Sequence, residues 1–104
     1  MTYVFDIDGT ICNSDKGYEN SEPIWDRIEK VNNLYKEGNV IHFLTARGMG
    51  RSNNESPLLF EDLTKKQLQE WGVNYHELFM GKPAGDLYID DKGIKDEDFF
   101  DSRN

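Results

Sequence analysis

Two aspartates, Asp6 and Asp8, stand two positions apart near the start of the chain, directly after the apolar run 3–5. Because side chains in an extended segment repeat with a period of two, we expect both carboxylates to face the same way. Two negative charges about 4 Å apart repel each other by about 4 kcal/mol at an effective dielectric of about 20. The spacing therefore predicts a cation between the carboxylates, or a proton that they share. Gly9 follows directly and permits a sharp turn that brings the backbone close to a ligand.

Four other polar residues close or enter the later apolar runs of the sequence: Thr45, Lys82, Asp90 and Asp91. Taken singly, Thr45 is typical of a β-strand, Lys82 of a solvated surface, and Asp90-Asp91 of a turn. In a sheet of parallel strands, however, ligands bind outside the carboxyl ends of the strands, which share one edge. The combination in this order predicts that all four residues join Asp6 and Asp8 at one site.

Apolar runs alternate with helical periodicity along the chain, which favours the α/β class with right-handed crossovers. Strands are predicted over residues 2–6, 40–45 and 87–89, with a short strand and turn within 73–80. The continuous apolar pattern of the first run predicts a strand that is covered on both faces. We expect a single Rossmann-like domain over residues 1–104, with a parallel sheet of about four strands flanked by helices.

Helix signals lie between these strands. The first helix is predicted from Ser21 and Pro23 to Gly38, and the second from Ser56 and Pro57 to Gly72. The polar segments 12–21 and 48–56 are predicted loops beside the strand ends. Phe99 and Phe100, in the acidic tail, are expected to pack back onto the body of the domain.

Composition limits the classes of partner. The chain has 104 residues, enough for one core, and its net charge of −8 weighs against binding to nucleic acid or an anionic membrane. One cysteine, Cys12, rules out an intramolecular disulfide, and no apolar stretch reaches the length of a membrane span. A strand that starts almost at Met1 leaves no room for a signal peptide, so we expect a cytoplasmic protein.

Four motifs follow one another in the sequence: Asp6-Ile7-Asp8-Gly9-Thr10, a threonine that ends a strand, Gly81-Lys82-Pro83, and a strand that ends in Asp-Asp. In this order they resemble the motifs of the haloacid dehalogenase-like (HAD) phosphohydrolase superfamily. The resemblance implies that Asp6 attacks phosphorus and becomes an aspartyl phosphate. It implies that Asp8 is the general acid and base, and that Thr45 holds the phosphoryl oxygens. Lys82 would neutralise charge on the nucleophile and on the transferred group.

The same resemblance implies a Mg²⁺ cofactor, a cation that prefers oxygen ligands and keeps several waters. Its ligands would be the Asp6 carboxylate, the Asp8 backbone carbonyl and the pair Asp90 and Asp91. We expect Asp91 to be the direct ligand, with Asp90 acting through water or through Lys82.

The substrate is expected to be a small phosphorylated metabolite. The strand end Thr45-Ala46-Arg47 and Arg51 are candidate substrate-binding residues together with Lys82, since arginine can bind a carboxylate or phosphate at two points. A local pair between Arg51 and Glu55 is the alternative. No segment leaves room for a cap domain, and capless relatives often form oligomers of identical subunits. A looser resemblance to small phosphatases of capsule and surface-polysaccharide biosynthesis suggests a sugar phosphate.

Three rival functions are weighed against this one. A phosphoreceiver signalling domain has a similar acidic site, but places its acidic pair after the first strand. A noncatalytic binding module would not need the complete set of polar residues. A polynucleotide 3′-phosphatase shares this kind of core, but the acidic charge and the lack of a basic stripe weigh against it.

Overall fold

The computed structural model describes residues 1–47, 57–81, 87 and 92–101, with the backbone alone for 57–59. In chain order these residues form strand β1 (Thr2–Phe5), strand β2 (Cys12–Asn13), a 3-10 turn (Tyr18–Asn20), strand β3 (Glu22–Pro23), helix α1 (Trp25–Lys36), strand β4 (Val40–Thr45), helix α2 (Pro57–Glu70), strand β5 (Glu77–Met80) and helix α3 (Asp96–Phe100). None of the helices described is long and apolar enough to cross a membrane.

The main sheet is parallel and has the order β1-β4-β5, so the central strand is β4. The predicted α/β class and parallel sheet are confirmed, with three strands within the described part of the chain instead of about four. The missing strand is the one predicted over 87–89, which lies outside the described residues except for Leu87, an exposed side chain. That strand stays a prediction.

One face of the sheet carries the core. Alternate strand residues Phe5, Ile41 and Phe43 are buried, and they pack with apolar residues of the helices: Ile28 and Val31 of α1 and Leu68 of α2. On the opposite face Val4 is 59% exposed and Phe79 is 47% exposed. The expectation that β1 is covered on both faces is therefore wrong for the part of the chain that the structure describes.

The segment before α1 differs from the prediction. Instead of continuing as a loop and starting the helix near Ser21, the chain pairs Cys12 with Pro23 and Asn13 with Glu22 in the antiparallel hairpin β2-β3. This pairing holds residues 22–23 extended, so α1 begins at Trp25. The predicted end of α1 is confirmed. Gly38 follows the C-cap residue of this helix with φ +93°, a conformation that glycine adopts readily.

The helix α3 returns to the sheet, as predicted for the two phenylalanines of the tail. The ring of Phe99 lies 5.5 Å from that of Phe5 in an edge-on arrangement. From α1, the ammonium of Lys30 lies 4.4 Å from the centre of the Phe99 ring and donates a 2.8 Å hydrogen bond to the carbonyl of Phe99. Arg27 and Asp96 form a 2.8 Å ion pair beside it. These contacts attach α3 to both β1 and α1.

We expect Phe99→Ala to lower the free energy of unfolding by about 2 kcal/mol, less than a fully buried phenylalanine because this ring is half-buried. Urea denaturation measures the change. The control is Ile94→Ala, at a side chain that is 65% exposed, and we expect less than about 0.5 kcal/mol there. Equal losses for the two variants would show that α3 is not packed as described.

Candidate functional site

The carboxyl ends of β1 and β4 form the site. The two strands are parallel neighbours with Phe5 opposite Phe43, so the residues that follow them emerge at the same edge of the sheet. Asp6 follows β1 directly, and its Oδ1 accepts a 2.8 Å hydrogen bond from the amide of Ile7. Thr45 ends β4 and is buried. The predicted meeting of these polar residues at one edge is therefore seen for the two described strand ends.

A tight turn positions Asp8. Gly9 adopts φ +81°, and its amide donates a 2.8 Å hydrogen bond to the carbonyl of Cys12. The carbonyl of Ile7 accepts hydrogen bonds from the amides of Thr10 and Ile11 at 3.0 and 2.9 Å. Because the Ile7 and Ile11 side chains are fully buried, the turn is anchored in the core. The turn expected at Gly9 is confirmed.

The guanidinium of Arg47 is the centre of a buried polar network. The side chain is 0% exposed. Its Nε donates to Asp8 Oδ2 at 3.0 Å, and its Nη2 donates to Asp8 Oδ1 at 2.8 Å. Its Nη1 donates to Thr64 Oγ1 at 3.1 Å and to Gln67 Oε1 at 2.6 Å, both on α2. A second bond from Nη2 reaches Ser21 Oγ at 3.3 Å.

These bonds use all five N–H donors that an arginine side chain has. The ring of Tyr18 covers the group, with the Arg47 Cζ atom 5.0 Å from the ring centre. A buried guanidinium is stable only when its charge and its donors are matched in this way. The network therefore joins the β1 turn, the segment 14–21 and α2 into one unit.

The charge state of Asp8 follows from these neighbours. Burial by itself raises the pKa of this carboxyl, but the hydrogen bonds from Arg47 and Ser14 and the positive charge of Arg47 outweigh it and hold the pKa below its usual value. The neighbouring thiol behaves differently, since burial raises the pKa of Cys12. Asp8 is thus an anion at neutral pH, and Cys12 is a neutral thiol.

The other predicted site residues divide into two groups. Ala46 lies between Thr45 and Arg47 at the end of β4, and the amide of Arg47 donates to Thr45 Oγ1 at 3.2 Å. The remaining predicted residues lie outside the described part of the chain: Arg51, Lys82, Asp90 and Asp91. The amide of Gly81, the residue before Lys82 in the sequence, donates a 3.0 Å hydrogen bond to the carbonyl of Thr45. The end of β5 therefore lies at the same edge of the sheet.

The predicted Mg²⁺ site stays a prediction. The oxygen atoms of Asp6 and Asp8 follow β1, and oxygen is the ligand type that Mg²⁺ prefers. Within the described residues no three histidine, cysteine or acidic side chains cluster closely enough to hold a metal ion. The acidic pair that would complete the ligand set, Asp90 and Asp91, is not among those residues.

Sequence reasoning missed the partners of Arg47. It treated Arg47 as a substrate-binding residue, which stays a prediction, although every donor of its guanidinium has an acceptor within the protein. The available signal was on α2, where Thr64 and Gln67 are three residues apart and interrupt the apolar face that includes Phe60 and Leu68. Residues three apart lie on the same face of a helix, so two buried polar side chains there indicate a buried polar partner.

Comparison with known proteins supports the fold. No protein-family model and no curated protein matched the chain. Among solved structures, it is similar to the crystal structure of an MCSG target from Vibrio cholerae, at 28% identity and a TM-score of 0.78, over 98% of this chain and 89% of that one. It is also similar to a chain of the Pnkp1/Rnl/Hen1 complex, at 20% identity and a TM-score of 0.58, over 98% of this chain and 34% of that one. The second likeness shows a shared fold alone.

We expect Asp8→Asn to destabilise the protein in a pH-dependent manner. The pKa of Asp8 is lower in the folded protein than the usual value of an aspartate, about 3.9, so the ionised carboxylate stabilises the fold above about pH 4. This stabilisation is lost as the pH falls through the folded pKa. At pH 7 the substitution should lower the free energy of unfolding by about 2 kcal/mol, because it leaves Arg47 without its counter-charge.

Urea denaturation at pH 7 and at pH 3 measures the difference in free energy of unfolding between the parent and Asp8→Asn. We expect this difference to be smaller at pH 3 than at pH 7. Asp15→Asn, at an exposed loop position, is the matched control and should change stability by less than about 0.5 kcal/mol at both pH values. An equal loss for Asp8→Asn at both pH values would contradict the charge assigned to this carboxyl.

Proposed function

We propose that the chain is a HAD-like, Mg²⁺-dependent phosphomonoester hydrolase that acts through an aspartyl phosphate on a small phosphorylated metabolite, such as a sugar phosphate of capsule or surface-polysaccharide biosynthesis. The observation that carries the proposal is the position of Asp6 and Asp8 at the carboxyl end of β1, beside Thr45 at the end of β4. Ligands of parallel sheets bind at such an edge.

The environments of the two aspartates support different roles. Both oxygens of Asp8 accept hydrogen bonds from Arg47, which withdraws electron density and makes this carboxylate a weak nucleophile. Asp6 lies at the strand end itself, where its Oδ1 accepts from a backbone amide. We therefore assign the covalent role to Asp6 and proton transfer to Asp8.

In the first step a carboxylate oxygen of Asp6 forms a bond to phosphorus while the bond from phosphorus to the leaving oxygen breaks. Asp8 is ionised in the free protein, so it first takes the proton of the phosphomonoester monoanion and then gives this proton to the leaving oxygen, which departs as an alcohol. In the second step Asp8 takes a proton from water while the water oxygen forms a bond to phosphorus and the bond from phosphorus to Asp6 breaks. The released phosphate takes the proton back from Asp8, so both carboxylates are regenerated.

Thr45 is suited to bind a phosphoryl oxygen. Its Oγ1 accepts a hydrogen bond from the amide of Arg47, and among the described residues its hydroxyl hydrogen has no acceptor. Lys82 follows Gly81, which is held at the same edge, and is proposed to neutralise charge on the transferred group. Donors aimed at the equatorial oxygens are the main requirement of phosphoryl transfer.

Mg²⁺ is proposed as the cofactor. The Asp6 carboxylate, the backbone carbonyl of Asp8 and the pair Asp90 and Asp91 would form an oxygen-only ligand set of the kind this cation takes. When bound, it would supply positive charge that lets an anionic phosphate approach the acidic site. A chain of net charge −8 needs such a local cation to bind an anionic substrate.

The substrate class follows from the charge and from the open sheet edge. Residues 9–39, between Asp8 and β4, are all described and contain only the hairpin, the 3-10 turn and α1, without a cap domain. An uncapped site is open to solvent unless a second subunit covers it. The acidic charge favours a small metabolite over a polynucleotide, and an oligonucleotide with a 3′-phosphate is the rival substrate.

We expect p-nitrophenyl phosphate to be hydrolysed with Mg²⁺ and not in the presence of EDTA. Asp6→Asn should lower kcat by roughly a thousandfold or more, because the covalent step loses its nucleophile. Asp15→Asn is the control and should retain the parent activity. A panel of sugar phosphates, nucleotides and 3′-phosphorylated oligonucleotides then ranks the substrates by kcat/KM. Full activity of a folded Asp6→Asn variant would overturn the nucleophile assignment.

A further inference from the structure

We propose that Arg47 is a positioning residue, whose buried guanidinium fixes the Asp8 carboxylate so that its Oδ2 faces the leaving group, and that it does not bind substrate. This inference rests on the proposed function. It differs from the role expected from the sequence, in which Arg47 binds a carboxylate or phosphate of the substrate.

Two hydrogen bonds join the Arg47 guanidinium to the Asp8 carboxylate. Nε lies 3.0 Å from Oδ2 of Asp8, and Nη2 lies 2.8 Å from Oδ1. A guanidinium and a carboxylate are both planar, so two parallel hydrogen bonds fix the rotation of the carboxylate as well as its place. A lysine at the same position would supply a point charge without this control.

The two carboxylate oxygens are not equivalent. Oδ1 accepts from the hydroxyl of Ser14, from Nη2 of Arg47 at 2.8 Å and from Nε at 3.2 Å, with the Cys12 thiol at 3.7 Å. Among the described residues, Oδ2 accepts only from Nε, at 3.0 Å. Each carboxylate oxygen has about two lone-pair positions, so Oδ2 keeps one for a further partner, whereas those of Oδ1 are used. We therefore assign the contact with the leaving group to Oδ2.

The arginine is itself held in one orientation. Thr64 donates its hydroxyl hydrogen to the carbonyl of Phe60 at 2.7 Å, so its oxygen faces Arg47 as an acceptor. Gln67 donates from Nε2 to the carbonyl of Tyr18 at 2.6 Å, which turns its Oε1 toward Arg47. Both partners therefore present acceptors, and neither can rotate without losing a hydrogen bond of its own.

The full use of the guanidinium donors argues against substrate binding. The side chain is 0% exposed, and its donors are all used within the protein. A phosphate that took one of these donors would leave the oxygen of Thr64, Gln67 or Ser21 without it, or would weaken the contact of Arg47 with Asp8. Holding Asp8 uses the group as it stands, without such a rearrangement.

The test compares substrates with good and poor leaving groups. Protonation by Asp8 matters little for p-nitrophenyl phosphate, whose leaving group is a stable anion, and matters greatly for an alkyl phosphate such as glycerol phosphate. We expect Arg47→Met to lower kcat/KM by roughly a hundredfold on the alkyl phosphate and by less than about tenfold on p-nitrophenyl phosphate. Asp8→Asn should show the same dependence on the leaving group, and the double variant should lose little more than Asp8→Asn alone.

Inhibition by inorganic phosphate provides a second measurement. If Arg47 acts only on Asp8, the inhibition constant of phosphate should change by less than about threefold in Arg47→Met. A substrate-binding role would instead raise this constant and lower kcat/KM equally for both leaving groups, and that result would overturn the inference.

Two further variants keep the test decisive if Arg47→Met does not fold. Arg47→Lys keeps the charge without the two-point contact, and Thr64→Val removes one acceptor that orients the guanidinium. Both should show the loss on the alkyl phosphate to a smaller extent. Lys65→Met is the control, because it breaks the exposed 3.2 Å ion pair with Glu61 and should leave the leaving-group dependence unchanged.

The outcomes separate the two proposals. A parent protein that hydrolyses no phosphomonoester would overturn the proposed function, and this inference with it. An active parent whose folded Arg47 and Thr64 variants lose activity equally on both substrates would overturn this inference alone.

Discussion

The buried positive charge of Arg47 is the constraint on which the site depends. A guanidinium removed from water must have acceptors for all its donors, and this chain supplies them from three separate segments: Asp8 after β1, Ser21 before β3, and Thr64 with Gln67 on α2. The charge therefore determines how these segments pack. Apolar contacts of Ile28, Val31 and Leu68 with the sheet supply the driving force for folding, whereas the Arg47 network determines one arrangement of polar groups at the sheet edge.

This arrangement separates two carboxylates that are only two positions apart. Asp8 is paired with a cation of the protein and stays ionised, so its charge is already compensated before any ligand arrives. Asp6 lies at the end of β1. A cation bound by its carboxylate would not compete with Arg47 for the carboxylate oxygens of Asp8. Arg47 thus compensates the charge of one carboxylate of the pair, and the cation predicted from the spacing of Asp6 and Asp8 stays a prediction.

The elements with strong periodic signals could be predicted from the sequence. The central strand β4, the stops of α1 and α2 at Gly38 and Gly72, and the return of Phe99 and Phe100 all follow from hydrophobic pattern and glycine chemistry. The hairpin β2-β3 could not, because each strand has two residues and its pairing depends on long-range contacts. The burial of Arg47 was missed because an arginine after a strand end is usually solvated. The sequence feature that indicates this burial is the pair of polar residues Thr64 and Gln67 on α2, far from Arg47 in the chain.

A double-mutant cycle between Asp8 and Arg47 tests the central claim most directly. It compares the free energy of unfolding of the parent, Asp8→Asn, Arg47→Met and the double variant in urea at pH 7. The account predicts a coupling free energy of about 2 kcal/mol or more, and a smaller one for the more exposed pair Arg27 and Asp96. A coupling close to zero for Asp8 and Arg47 would show that the two residues act independently, and it would contradict the account.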